Sequence, residues 1–191
     1  LAVRQRRERR DALSAQSIQA STEIWPRLRD ALGFTLTDAQ IRSIDEIVAD
    51  LGKPTPSLRL LQGDVACGKT VVAAAAVLAA IEGGQQAVVM APTELLAEQH
   101  LRVFSGWFEK VGIKPVWLSG RISQRERRAV CEQLSSGAAR VVVGTHAVFQ
   151  DDVSYYNLGL VVVDEQHRFG VAQRLALREK GQREGSAPHQ I

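Results

Sequence analysis

A chain of 191 residues with 45% hydrophobic and 24% charged side chains has enough apolar material for one α/β domain with a sizeable core, and is short for two. Its two cysteines, Cys67 and Cys131, argue against a disulfide-stapled scaffold or a cysteine-based metal cluster, and together with a start unlike a cleavable signal they fit a reducing cytoplasm. The net charge is +3, but Arg4, Arg6, Arg7, Arg9 and Arg10 against Glu8 place more than that in the first ten residues, so the body of the chain is not basic.

In chain order, residues 1–22 read as an arginine-rich helix and a Ser/Gln/Ala linker. This N-terminal helical arm is either a solvated face or a contact to phosphate backbone. Residues 24–32 carry the pattern of a short helix, which closes an arm of residues 1–33 ahead of a domain spanning 34–191. Thr37-Asp38-Ala39-Gln40 reads as a helix start, with Ile41, Ile44, Ile47, Val48 and Leu51 at helical spacing and Gly52-Lys53-Pro54-Thr55-Pro56 ending the run. Strands are then expected at about 58–63, 86–91, 115–119, 140–144 and 159–164, alternating with helices at about 69–82, 94–111, 122–136 and 170–180. Such a βαβ series predicts an α/β fold with a doubly wound, mostly parallel sheet flanked by helices. The apolar run 71–81 falls short of the roughly 20 residues of a membrane span and is read as a core helix. Gly83-Gly84, Gly112 and Gly137 each follow a helix, where a left-handed cap residue belongs. In the helix at 122–136, Ile122, Ala129, Val130 and Leu134 are expected inward and Arg121, Arg125, Arg127 and Arg128 outward.

The chemistry concentrates at two places. Gly63-Asp64-Val65-Ala66-Cys67-Gly68-Lys69-Thr70 lies between an expected strand and an expected helix, and has the spacing of a phosphate-binding loop. Its glycines let backbone N–H groups turn toward an anion at a helix N-terminus, with Lys69 on the β- and γ-phosphates and the Thr70 hydroxyl on Mg²⁺. The alternative is a glycine turn with an exposed lysine. Further on, the apolar run 159–163 leads straight into Asp164-Glu165-Gln166-His167. In a parallel sheet this acidic pair shares a rim with the phosphate loop, Asp164 serving Mg²⁺ through water and Glu165 the water that attacks the γ-phosphate. Taken singly, either acid also suits a helix start. His146 and His167 have no third ligand at suitable spacing, so zinc is not expected.

Four segments go beyond a generic phosphate-loop enzyme: Leu61-Gln62-Gly63-Asp64, Ala91-Pro92-Thr93-Glu94-Leu95-Leu96-Ala97-Glu98-Gln99-His100, Val143-Gly144-Thr145-His146-Ala147 and Asp164-Glu165-Gln166-His167-Arg168-Phe169-Gly170. Over roughly residues 34–190 the chain resembles the RecG family, bacterial ATP-dependent branch-migration DNA helicases of superfamily 2, and residues 164–171 are the most specific part. The resemblance implies a RecA-like first motor lobe that uses ATP and Mg²⁺. Gln40 would read adenine and Gly63, Asp64, Val65, Ala66, Cys67, Gly68, Lys69 and Thr70 would cradle the nucleotide. Thr70 and Asp164 would serve the metal, and Lys69, Asp164, Glu165 and His167 would be catalytic, His167 linking the ATP site to the nucleic-acid track. Pro92, Thr93, Gly144, Thr145 and His146 would contact DNA backbone, although Pro92-Thr93 and the 144–146 turn also read as ordinary strand-to-helix connections.

The implied partners are branched or forked DNA, a second RecA-like lobe and a wedge domain, for a monomer in the bacterial cytoplasm with no membrane attachment. Two departures stand out. Ala66-Cys67 replaces the glycine and serine usual in the family, and alanine at a positive φ costs on the order of 1 kcal/mol. Cys67, beside Lys69 at a helix start, is either an activated thiol or a small packed one. The chain also stops at Pro188-His189-Gln190-Ile191, where the family continues into another core strand and the lobe that carries the arginine fingers. These residues alone are therefore expected to have feeble hydrolysis, no unwinding and an unpaired sheet edge. Gln166 favours the RecG family over transcription-repair coupling translocases, which read DEEH at this place. No Asn-Lys-x-Asp segment supports a GTPase, and Leu134-Ser135-Ser136-Gly137 is a weak echo of a transporter ATPase.

Overall fold

Runs of β-branched residues without polar alternation build the centre of the molecule. The strands are β1 (Gln86–Met90), β2 (Val116–Leu118), β3 (Val141–Gly144), β4 (Leu158–Val163) and β5 (His189–Gln190). They form one sheet in the order β2-β3-β1-β4-β5, with every neighbouring pair parallel. Val88 lies opposite Val142 on one side and Val161 on the other, and Met90 opposite Gly144 and Val163. Successive residues of the inner strands feed two separate cores. Ala87, Val89, Leu160 and Val162 face one cluster, and Val88, Met90 and Val161 face the other. Both faces are therefore covered, which is why these strands read as continuous apolar runs. The computed structural model describes residues 15, 17–19, 24–63, 68–165 and 187–191. The arginine-rich start and the expected helix at 170–180 lie outside the described residues.

Among the described residues the helices that flank the sheet are α1 (Ile24–Ala31), α2 (Asp38–Leu51), α3 (Lys69–Glu82), α4 (Glu94–Phe108) and α5 (Gln124–Ser135). Helix α3 is buried at every position from 71 to 81, because the sheet lies on one side of it and α1 and α2 on the other. A helix apolar on all sides needs such a sandwich. Helix α2 starts on a capping box, the Thr37 side chain accepting from the Gln40 N–H while Gln40 accepts from the Thr37 N–H, and it buries Ile44, Ile47 and Leu51. Ile41 stays 44% exposed. Ahead of α1, the Ile18 N–H donates to the Leu51 carbonyl at 2.9 Å and the Ala15 N–H to Pro54 at 2.7 Å. Ile18 and Leu28 join the α3 core, so this part of the expected arm and linker packs on the domain.

Several expectations need correction. The strand expected at 58–63 reduces to a single parallel bridge between Leu58 and Gln190, since its neighbour β5 is only two residues long. An unpaired sheet edge is expected where the chain stops, but the last residues themselves form β5, which pairs with β4 at Leu160 and Val161. Helix α4 gives way to a 3₁₀ turn at Glu109–Val111. Ala129 faces solvent, and α5 packs through Val130 and Leu134, with Ile122 packing just ahead of the helix. Among the four arginines expected outward on that helix, Arg127 is largely covered, with Nε and Nη2 donating to both Asp152 oxygens at 2.6 and 2.7 Å.

One ion-pair network ties α2 to the segment that leads into the candidate phosphate loop. Arg59 donates from Nε to Asp50 at 2.7 Å and from Nη1 to Glu46 at 2.6 Å, and Lys53 also donates to Asp50. Burial alone would push the Asp50 carboxyl upward, but hydrogen bonds and charges from Lys53 and Arg59 outweigh it and hold the group below its ordinary value. A depressed folded-state pKa stabilises the fold above the unfolded value of about 3.9, and that contribution is lost as pH falls through the folded value. Asp50→Asn should lower unfolding free energy by about 1–2 kcal/mol at neutral pH and flatten the decline below pH about 4, as read from denaturant titrations across pH.

Candidate nucleotide site and strand-end rim

The candidate phosphate loop is framed from both ends. Upstream, the Arg59 N–H donates to the Gln190 carbonyl and the Gln190 N–H to the Ser57 carbonyl, while the Ser57 hydroxyl meets Nδ1 of buried His189 at 2.9 Å. Downstream, Gly68 caps α3 at φ +81°, a left-handed conformation that favours glycine. A Cβ at Gly68 would also collide with the Gln40 amide. Gln40, expected at the adenine, thus lies against the loop while its Oε1 accepts from the Thr37 N–H at 2.9 Å. Asp64, Val65, Ala66 and Cys67 lie outside the described residues, as does His167. Lys69 opens α3, with Nζ donating to the Gly63 carbonyl at 2.6 Å across the base of the loop.

A cleft of about 600 Å³ opens beside the loop, and Gly63, Lys69, Thr70, Asp164 and Glu165 all line it. Asp164 arrives there because the β1–β4 ladder continues one residue past the strands, its N–H donating to the Met90 carbonyl at 2.9 Å. Its Oδ2 lies 2.7 Å from His100 Nε2, and its Oδ1 accepts the Glu165 N–H at 3.0 Å. The hydrogen bond from His100 is the main reason the Asp164 carboxyl sits below its ordinary value. Burial opposes the shift, and the His100 charge, the Glu165 N–H and Lys69 add to it. An ionised Asp164 can only accept, so His100 donates from Nε2. Glu165 holds φ +51°, a left-handed backbone uncommon outside glycine and of the kind that clusters at functional sites.

These donors fit magnesium. One carboxylate and one hydroxyl beside a phosphate-sized loop suit a small hard cation that keeps waters and takes its remaining oxygens from substrate phosphates. Asp164 and Thr70 are the residues that would hold it.

The other expected residues line the same edge of the sheet. The Ala91 N–H donates to the Gly144 carbonyl at 3.0 Å, and the Thr145 N–H approaches the Leu118 carbonyl at 3.4 Å, so the ends of β1, β3 and β2 are stitched together. Gly144 runs so close to Leu118 that a Cβ there would strike its carbonyl. Thr93 is exposed, and its hydroxyl accepts the Leu96 N–H as the cap of α4, leaving the O–H proton free to point outward. Thr145 is 4% exposed, while His146 faces solvent at the start of a 3₁₀ turn. Pro92 is partly exposed.

Residues 37–185 match the DEAD/DEAH box helicase family. The chain belongs to that family. Within it, the chain is 51% identical over 178 residues to the ATP-dependent DNA helicase RecG of Pasteurella multocida and 50% identical over 177 residues to that of Escherichia coli K12, in each case over 93% of this chain. It spans about a quarter of the length of these relatives, 26% of each. A solved structure of RecG bound to a three-way DNA junction superposes over all of the chain and 25% of its own, with TM-score 0.88 and 37% identity. The DEAD-box helicase Mss116, solved with single-stranded RNA, shares the fold at TM-score 0.65 and 18% identity. The RecA-like α/β fold expected from the sequence is the one these helicases carry. Among the described residues no helix is long and apolar enough to cross a membrane.

The sequence reading assigned no role to His100, the partner of Asp164. Its signal is faint: one histidine on the face of α4 that buries Ala97 and Phe104, where a polar ring needs a partner. Gly68→Ala should lower stability by about 1–2 kcal/mol in thermal or denaturant melts, and adding Gln40→Ala should relieve the collision but not the backbone cost. Unchanged stability in Gly68→Ala would contradict the left-handed cap.

Proposed function

We propose that this chain is the ATP-binding motor lobe of an ATP-dependent DNA helicase that remodels branched DNA. The observation that carries the proposal is the meeting of Lys69 and Thr70 with Asp164 and Glu165 around one cleft, in a chain about half identical to RecG helicases. In this reading residues 63–70 receive the triphosphate on backbone N–H groups at the N-terminus of α3, and Lys69 trades the Gly63 carbonyl for the β- and γ-phosphates. Magnesium, when bound, neutralises charge developing on the phosphate oxygens. Thr70 and Asp164 hold it, Glu165 orients the attacking water, Gln40 selects adenine and His167 links nucleotide state to the DNA track.

The rim formed by Pro92, Thr93, Gly144, Thr145 and His146 is the proposed path of the DNA backbone. Buried Thr145 contributes there through its main chain, and Thr93 through its hydroxyl. Such contacts hold phosphate without reading bases, as a motor moving over any sequence requires. The lobe comprises residues 34–191, acts with a second RecA-like lobe and a wedge domain, and works as a monomer in the bacterial cytoplasm.

In the complete natural protein, Lys69→Ala should abolish measurable ATP binding, whereas Glu165→Gln should keep binding and slow turnover by about 10²–10⁴-fold. Steady-state hydrolysis with forked DNA, alongside nucleotide binding, tests both. ATPase retained in both variants would refute the assignment.

A further inference from the structure

Asp164 is held at three points, and each belongs to a different part of the chain. Its N–H is fixed by Met90 at the end of β1, its Oδ1 by the Glu165 N–H, and its Oδ2 by His100 Nε2. His100 is the only one of the three that is a side chain. It stands on the inward face of α4, three residues after buried Ala97 and four before buried Phe104, whose ring centroid lies 6.2 Å from its own. Its side chain is 18% exposed, and that of Asp164 is 33% exposed, so the pair is half withdrawn from water at the wall of the cleft shared with Lys69 and Thr70. An apolar face with one polar ring aimed at an acid fixes direction as well as contact.

We propose that His100 is a positioning residue for the metal-side carboxylate, holding Asp164 against the cleft so that magnesium and nucleotide meet it already oriented. The inference rests on the nucleotide-site reading above. A side chain hydrogen-bonded to a ligating carboxylate limits the orientations that carboxylate must give up on binding, and its removal typically lowers metal affinity or activity by 10–100-fold. His100 also belongs to the helix capped by Thr93, so one side chain joins the strand-end rim to the acid.

The test is a magnesium titration of ATP binding to the complete natural protein, followed by calorimetry, with a parallel ATP titration in EDTA. His100→Ala and His100→Asn, the latter too short to reach Oδ2, should raise the magnesium concentration at half-saturation by about tenfold and leave metal-free ATP affinity unchanged. His100→Gln, whose amide nitrogen can occupy the position of Nε2, should recover most of the shift. An unshifted magnesium midpoint in the Ala and Asn variants would overturn the inference while leaving the nucleotide site standing. So would a Gln variant no better than Ala, or an equal loss of metal-free binding, which would make His100 a support of the cleft as a whole. Failure of the natural protein to bind ATP at any magnesium concentration would remove the nucleotide reading and this inference with it.

Discussion

The parallel pairing of β1 with β4 is the interaction on which the rest of the molecule depends. It aligns Val88 with Val161 in the middle of the sheet and Met90 with Val163 at its end, and continues as the Asp164 N–H donating to Met90. That extra bond turns a buried apolar strand into a platform for an acid. Because every strand runs the same way, the ends of β1, β2 and β3 reach the same rim, and the loops that follow them are hydrogen-bonded side by side. A one-residue slip of register would send Leu160 and Val162 to the core that now holds Val161, and would turn Asp164 to the opposite face of the sheet.

The width of the site follows from the same sheet. β5 lies between β4 and the Leu58 segment, so two strand spacings of about 4.8 Å separate the acid-bearing strand from the chain that enters the phosphate loop. The cleft of about 600 Å³ at this end of the sheet is lined by Lys69 and Thr70 on one element and Asp164 and Glu165 on another. Helix α3 is buried along residues 71–81, and it starts from the left-handed Gly68 with the Gln40 amide against it. The Arg59 network and the Ser57–His189 contact hold the other end of the loop to α2 and to β5. Positioning is thus divided among elements far apart in sequence.

That division explains what could be read in advance. The bounds of α3 and the four longer strands were legible because each is written locally: valine runs for the strands, an apolar run opened by Gly68-Lys69-Thr70 for the helix, and Thr37 and Gln40 for the capping box of α2. The sheet edge was not legible, because whether residues 58–63 count as a strand depends on His189 and Gln190, more than a hundred positions away. The burial of Ile18 was missed for a related reason, since a Ser/Gln/Ala stretch reads as a linker until its neighbours are known. Lys69, Thr70, Asp164 and Glu165 could be named from motif spacing, and the structure sets all four around one cleft. The His100–Asp164 pair could not be named, because it joins two elements through side chains whose spacing follows no period.

The most direct test of the account is calorimetric titration of this chain with Mg²⁺–ATP and with Mg²⁺–GTP under identical conditions. Saturable one-to-one binding of ATP, with GTP clearly weaker, is the expected result, because the lysine, hydroxyl and carboxylate already line one cleft and Gln40 lies against the loop. Absence of saturable ATP binding, or equal binding of both nucleotides, would contradict it.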